Sequence, residues 1–237
     1  MKTTKQVMAA LKKAGNPLRI KTFANHGAPP DKMFGVSVAD MKVIAKKIKG
    51  EQELAYELYE TGNGDAQYLA AMVADGAEMK KTLLDKWTRD ACWQMVSEYA
   101  VPGVAAESEH AQSLANKWIK AKKEKVASCG WNTYSGIVAV QGDDEIDVAE
   151  IADYLDQIEG GIDDAQNRVR YTMNGFVIAV GAYVKPLTKR AKAVARKLGK
   201  VDVELGGTSC KVPLALEAIT KIEKAGRIGK KRKTIKC

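Results

Sequence analysis

The stretch 91-ACWQMVSEYAV-101 sets a tryptophan one residue after a cysteine, continues as an apolar run, and carries no acid before Glu98. Two later stretches share its form: 129-CGWNTYSGIVAV-140 and 174-NGFVIAVGAYV-184. Each places an aromatic residue after a small or polar one and ahead of an apolar helical segment. Trp93, Trp131 and Phe176 lie 38 and 45 residues apart. A period near forty with paired helices between is the mark of stacked helical repeats, in which each hairpin buries its face only against its neighbours. Aromatics recurring in such an array belong first to the core between repeats. The same stacking lines inner helices side by side, where aromatics near the helix openings can reach a ligand.

The rest of the chain agrees with an all-α reading. In 37-SVADMKVIAKKI-48, Val38, Met41, Ile44, Ala45 and Ile48 form one apolar stripe opposite lysines, and Ser37 with Asp40 makes a capping arrangement at its start. Further helices are expected at about 52–61, 64–75, 79–89, 91–100, 108–122, 125–140, 146–158, 166–183, 186–198 and 213–225, after an amphipathic N-terminal segment. Breaks fall at 28-APPD-31, 102-PG-103, 160-GG-161, Pro186 and 206-GG-207. Only 201-VDVEL-205 has the alternation of a strand. The expected architecture is a curved HEAT-like repeat α-solenoid of about six helix pairs, one domain over 1–225 with a flexible basic tail at 226–237.

Composition limits the function classes. No apolar run approaches the roughly eighteen residues that cross a bilayer, and the N-terminus lacks the core of a signal peptide, so a cytoplasmic, monomeric protein without membrane contact is expected. Cys92, Cys129, Cys210 and Cys237 form no CxxC pair, and His26 and His110 have no ligand at metal spacing, so no metal and no cofactor is expected. Cys92 and Cys129 read as small core residues. The glycines of 160-GGIDDAQ-166 and 205-LGGTSCKVP-213 do not form a phosphate loop.

Charge carries functional content. The net charge is +9, with eleven Lys/Arg against two acids in 1–50, nine against twenty-three in 51–164, and eighteen against four in 165–237. No acid occurs from Ala165 to Val201, a span holding Arg168, Arg170, Lys189, Arg190 and Lys192. Basic ends around an acidic middle point to a polyanion, since phosphate neutralisation is the sequence-independent source of nucleic-acid affinity. Those five residues, with Lys42 and Lys46 from the N-terminal block, are the expected contacts to duplex DNA.

The segment 33-MFGVSVADMKVIAKKI-48 resembles the N-terminal FGV-x-V-x-D-(L/M)-(R/K)-x-I-A-K pattern of the AlkD-like DNA alkylation repair family, the HEAT-like repeat DNA glycosylases. The helix 64-GDAQYLAAMVAD-75 and Trp93 fall where that family has its next inner helices, and the likeness covers roughly residues 1–200. It implies removal of cationic 3- and 7-alkylpurines from duplex DNA without a base-flipping pocket. Two tryptophans pack on the lesion nucleotide, and an aspartate steadies the sugar cation. By the resemblance the first tryptophan is Trp93, the aspartate position is Ser97, the basic residue is Lys125 and the second aromatic is Phe176. An unbroken α-helix puts Trp93 and Ser97 on one side, aimed at one nucleotide. Lys125 keeps a cation without the guanidinium fork, and Ser97 supplies no charge. The resemblance therefore implies an alkylpurine DNA N-glycosylase with an altered site, whose excision is in doubt. The alternatives are a non-catalytic binder of DNA structure and a HEAT-type protein-interaction scaffold.

Overall fold

The computed structural model describes residues 1–236; Cys237 lies outside them. The described residues contain thirteen α-helices and no strand. They cluster into two compact units, where the sequence reading has one domain over 1–225. The first comprises Met1–Leu114, Gly206–Thr208 and Lys236, and the second Ala115–Leu205 and Ser209–Ile235.

In the first unit, α1 (Thr4–Ala14), α2 (Pro17–Asn25), α3 (Val38–Lys46), α4 (Gln52–Glu60), α5 (Gly64–Val73), α6 (Lys81–Asp90) and α7 (Val101–Ala105) follow one another. α1 packs on α3 and α4, α4 on α5, and α6 on α7. Side-chain caps start several of these helices: Asn16 Oδ1 accepts from Leu18 N–H at 2.9 Å ahead of Pro17, Ser37 Oγ from Asp40 N–H at 3.1 Å, and Asn63 Oδ1 from Ala66 N–H at 3.1 Å. α5 is buried along most of its length and serves as the inner helix of this unit.

The FGV motif owes its form to one buried carboxylate. Asp65, in the first turn of α5, accepts the backbone N–H groups of Phe34 (2.6 Å), Gly35 (3.1 Å) and Val36 (2.9 Å). Gly35 has φ +75°, and a Cβ there would lie 2.5 Å from the Asn16 carbonyl, so only glycine fits. Arg19 Nη1 donates to the Gly35 carbonyl at 2.7 Å. Burial pushes the Asp65 carboxyl above its ordinary value, against the pull of the three N–H donors.

The division between units falls inside α8 (Ala111–Ile119). The second unit contains α9 (Glu124–Val140), α10 (Val148–Gly161), α11 (Asn167–Tyr183), α12 (Thr188–Leu198) and α13 (Ala215–Lys224). α9 packs along α11, and α11 along α12 and α13. Gly130 lets α9 approach the end of α8, since a Cβ there would lie 2.5 Å from Ile119 N. The core is a cluster of rings, Trp131, Tyr134, Tyr154 and Phe176, with centroids 5.2 to 6.3 Å apart and edges set against faces. Glu150 accepts from Tyr134 Oη at 2.5 Å and from Asn116 Nδ2 at 2.7 Å, while Tyr154 Oη donates to Asn116 Oδ1 at 3.0 Å. Burial, then the Glu150 charge, pushes the Tyr154 hydroxyl up to about 12.

Two expectations about chain segments are corrected. The 201-VDVEL-205 run is extended but pairs with no strand among the described residues: the Asn167 side chain takes a strand's place, accepting from Glu204 N–H at 2.7 Å and donating to its carbonyl at 2.9 Å. The tail 226–236 is held rather than free. Gly229 N–H donates to the Ala182 carbonyl at 2.8 Å, Arg232 N–H to Ala139 at 2.8 Å and Lys231 Nζ to Val138 at 2.9 Å, so the segment caps the C-terminal ends of α11 and α9. In the first unit Lys236 Nζ reaches the Ala74 carbonyl and Glu107, each at 3.0 Å. The last carbonyls of a helix have no intrahelical partner and favour cations, which gives a basic tail its place.

Candidate nucleic-acid interface

The stretch 91–101 is not a plain α-helix. Gln67 clamps its entry, with Oε1 accepting from Cys92 N–H at 3.0 Å and Nε2 donating to the Asp90 carbonyl at 3.1 Å. Residues Val96–Ala100 then form a π-turn, closed by Val101 N–H on the Val96 carbonyl. Pro102 supplies a reason: it has no N–H for a regular ladder, and its ring crowds the carbonyl four residues back. The wider turn lies beyond the Trp93–Ser97 step, which is α-helical: Ser97 N–H donates to the Trp93 carbonyl at 3.1 Å. Ser97 is 1% exposed, with Oγ 3.5 Å from the Gln94 carbonyl, and Glu98 is 2% exposed. Ser97 lies one α-helical turn from Trp93, as the spacing has it, but both side chains are enclosed rather than open to a nucleotide. Trp93 lies at the edge of the core, its ring 5.1 Å from that of Phe23 and its Nε1 without a hydrogen-bond partner. Tyr99 is the exposed aromatic of the segment.

Lys125 and Phe176 belong to the second unit. Phe176 is 0% exposed, inside the ring cluster, and is corrected from a ligand-facing aromatic to a core residue. Trp131 is likewise fully buried. The accessible face of α11 lies elsewhere on its circumference, along the half-buried positions Arg168, Tyr171, Gly175 and Ile178 at helical spacing. Tyr171 is five residues before Phe176, about 140° around the helix at 100° per residue. The Arg168 guanidinium sits 4.3 Å above the Tyr171 ring, and Arg168 N–H donates to Glu124 Oε1 at 2.7 Å, which ties α11 to the start of α9. Lys125, Asn132 and Ser135 are half-buried positions of α9, and Asn132 Oδ1 comes within 3.9 Å of the space above Gly175. A cation over a ring, beside an amide and a second cation, has the chemistry to meet phosphate and to stack on a base or sugar. Tyr171 and Asn132 were missed from sequence because aromatic-after-glycine drew attention to Phe176; the i, i+3, i+7 spacing from Arg168 was the available signal.

The basic residues of α12 are differently placed from expectation. Arg190 pairs with Asp156 and with Glu159, and Lys197 with Glu159, all from α10. Lys192 pairs with Glu223 of α13 at 2.6 Å. The acids lie more than thirty residues away in sequence, so the acid-free span meets carboxylates of α10 and α13, and Arg190 and Lys192 are ion-paired rather than unopposed. The Asp156 carboxylate raises the Arg190 guanidinium further above its ordinary value, keeping it charged. Lys189 is exposed and has no ion-pair partner among the described residues. Arg170 is half-buried, with Nε lacking a hydrogen-bond partner.

Lys42 and Lys46 come together in the first unit, on the wall of a cavity of about 590 Å³ shared with Lys49, Lys236 and the end of α5. Among the described residues no three His, Cys, Asp or Glu side chains are grouped to hold a metal, and no helix is long and apolar enough to cross a membrane. Cys129 is buried, Cys92 half-buried and Cys210 exposed, all as free thiols, so of the two expected core cysteines Cys129 alone is fully enclosed.

Comparison with known proteins agrees with the fold. Residues 7–197 match the family model described as DNA alkylation repair enzyme. The uncharacterised protein Lin0241 of Listeria innocua is 33% identical over 231 residues, covering 95% of this chain and 98% of that protein. The uncharacterised protein Lmo0209 of Listeria monocytogenes is 32% identical over the same length and shares. A solved structure, described as belonging to a new family of proteins related to the HEAT-like repeat DNA glycosylases with affinity for branched DNA structures, superposes with a TM-score of 0.90 at 36% identity, over 99% of this chain and 100% of that one.

Proposed function

Because the chain belongs to the DNA alkylation repair enzyme family, we propose that it is a DNA-binding member, monomeric and cytoplasmic, that holds duplex and branched DNA and does not cleave glycosidic bonds. The observation that carries the second half is Ser97. The position where the resemblance puts the family's carboxylate holds a neutral hydroxyl, and that hydroxyl is buried. A developing sugar cation is stabilised by preorganised negative charge at short range, which a hidden serine cannot provide. Lys125 and Phe176 do not repair the deficit, one being a cation and the other enclosed in the core.

The binding half rests on the α9 and α11 face, with Arg168 over Tyr171 and Lys125 half-buried on α9, and on Lys189, exposed on α12. Phosphate contacts of this kind are sequence-independent, which suits a protein that reads the form of DNA rather than its bases. The relative with affinity for branched DNA favours junctions as the structure preferred. The test is a titration of a four-way junction and a linear duplex of equal length across a salt series. A steep salt slope with tighter junction binding is expected; equal, salt-insensitive affinity overturns the reading.

A further inference from the structure

The cavity of about 590 Å³ in the first unit gathers lysines that the α9 and α11 face does not use. Its wall is Lys42, Lys46 and Lys49 from α3 and the turn after it, with Lys236, and its floor is Ala45, Met72, Val73 and Ala74. Four lysines therefore face one lining carboxylate, Asp75. That carboxylate is already engaged, with Oδ1 accepting from Ala77 N–H at 3.0 Å, and Gln52 holds the Asp75 backbone on both sides. Lys236 is pinned by Ala74 and Glu107, so it forms a fixed wall. Lys42, Lys46 and Lys49 are exposed and have no ion-pair partner among the described residues, in contrast to the basic residues of α12.

We propose that this cavity binds a nucleoside 5′-phosphate, with the phosphate on the α3 lysines and the nucleoside against the apolar floor. A bare anion uses only the lysine rim and leaves the floor wet. A volume in the range of small-ligand sites, lined by a thioether and small aliphatic side chains, has room for one nucleoside unit. A phosphomonoester carries more charge than the diester of an uninterrupted strand, and three uncompensated lysines at one rim favour it. The same chemistry is offered by a free mononucleotide and by the phosphorylated 5′ end of a DNA strand.

The experiment has one arm for each source and needs no DNA in the first. Calorimetric titration with deoxyadenosine 5′-phosphate is compared with deoxyadenosine, inorganic phosphate and a hexaglutamate peptide, for the native chain, for Lys42→Gln/Lys46→Gln/Lys49→Gln, and for Ala45→Trp, which fills the floor. The mononucleotide is expected to bind at least about tenfold more tightly than the three controls and to lose that margin in both variants. The second arm compares hairpin DNA ending in a 5′-phosphate with the same hairpin ending in a 5′-hydroxyl. A preference for the phosphate end that the triple variant abolishes assigns the site to strand termini, and mononucleotide binding without that preference assigns it to free nucleotides. Binding of hexaglutamate or phosphate as tight as the mononucleotide, or no margin in either arm with variants that melt like the native chain, overturns the proposal. The first arm does not depend on the DNA-binding reading, so the two can fail separately.

Discussion

The inner helices of the two units are anchored in different ways. In the first, buried polar groups hold the chain: Asp65 gathers three N–H donors, Gln67 clamps the turn at Asp90 and Cys92, and Ser97 and Glu98 lie buried in the π-turn. In the second, rings do it, with Trp131, Tyr134, Tyr154 and Phe176 interlocked; its buried Ser128, Thr133 and Thr172 return their hydroxyls to carbonyls of their own helices. A polar anchor fixes the direction of a few backbone groups, whereas a ring cluster fixes the spacing of whole helices. The first can therefore carry an irregular turn, and the second keeps α9 and α11 regular for seventeen residues each.

Substitutions at the two kinds of anchor separate them. Trp131→Ala is expected to have the largest effect, a loss of about 3–5 kcal/mol read from denaturant unfolding, because the Tyr154 and Phe176 rings lose their contact. A stable variant that has lost only DNA binding breaks the comparison by placing Trp131 on the surface. Ser97→Asp comes next. It puts an uncompensated carboxylate into the π-turn and is expected to cost about 3 kcal/mol, less in acid where the group is protonated, rather than to create excision. Full stability with base release shows that position 97 opens to the groove after all. Asp65→Asn keeps the shape but sets its amide NH2 against at least one of the three N–H donors, which divide between the two carboxylate oxygens, with an expected loss of about 2 kcal/mol. The native carboxyl titrates above its unfolded value, so native stability falls as pH rises through the window between the two. That slope is expected to vanish in the variant, and its persistence shows that another group sets it.

The smallest effects concern charge. Lys189→Ala is expected to lower the salt slope of DNA affinity by about one unit. Arg190→Ala, on a pair exposed to water, is expected to change stability by no more than about 1 kcal/mol and the salt slope hardly at all. The reverse ranking makes Arg190 the phosphate contact and its pairing with Asp156 incidental to DNA.

Much of this fold is written in local pattern. The stripe from Val38 to Ile48, the Ser37 cap and the glycine and proline breaks place helices within a few residues of where they lie, because each depends on neighbours within two turns. The site was less legible for three physical reasons. Helical spacing sets Ser97 on the side of Trp93, but whether that side faces the core or a groove depends on packing by distant parts of the chain. Charge counted along the chain misses Asp156, Glu159 and Glu223, which folding brings to α12. A basic tail looks unstructured until the carbonyl ends of α9 and α11 are there to receive it. The resemblance gave the family, matched over residues 7–197; the aromatic it points to, Phe176, is enclosed, and the half-exposed ring of α11 is Tyr171.

The central claim is that this chain binds DNA without cutting it, and the most direct test is incubation with randomly methylated duplex DNA under conditions where retention on the protein is measured in the same sample. The expected result is DNA retained, with 7-methylguanine and 3-methyladenine released no faster than from DNA alone. Release above that background by the unmodified protein contradicts the account, and means that catalysis here proceeds without a carboxylate at position 97.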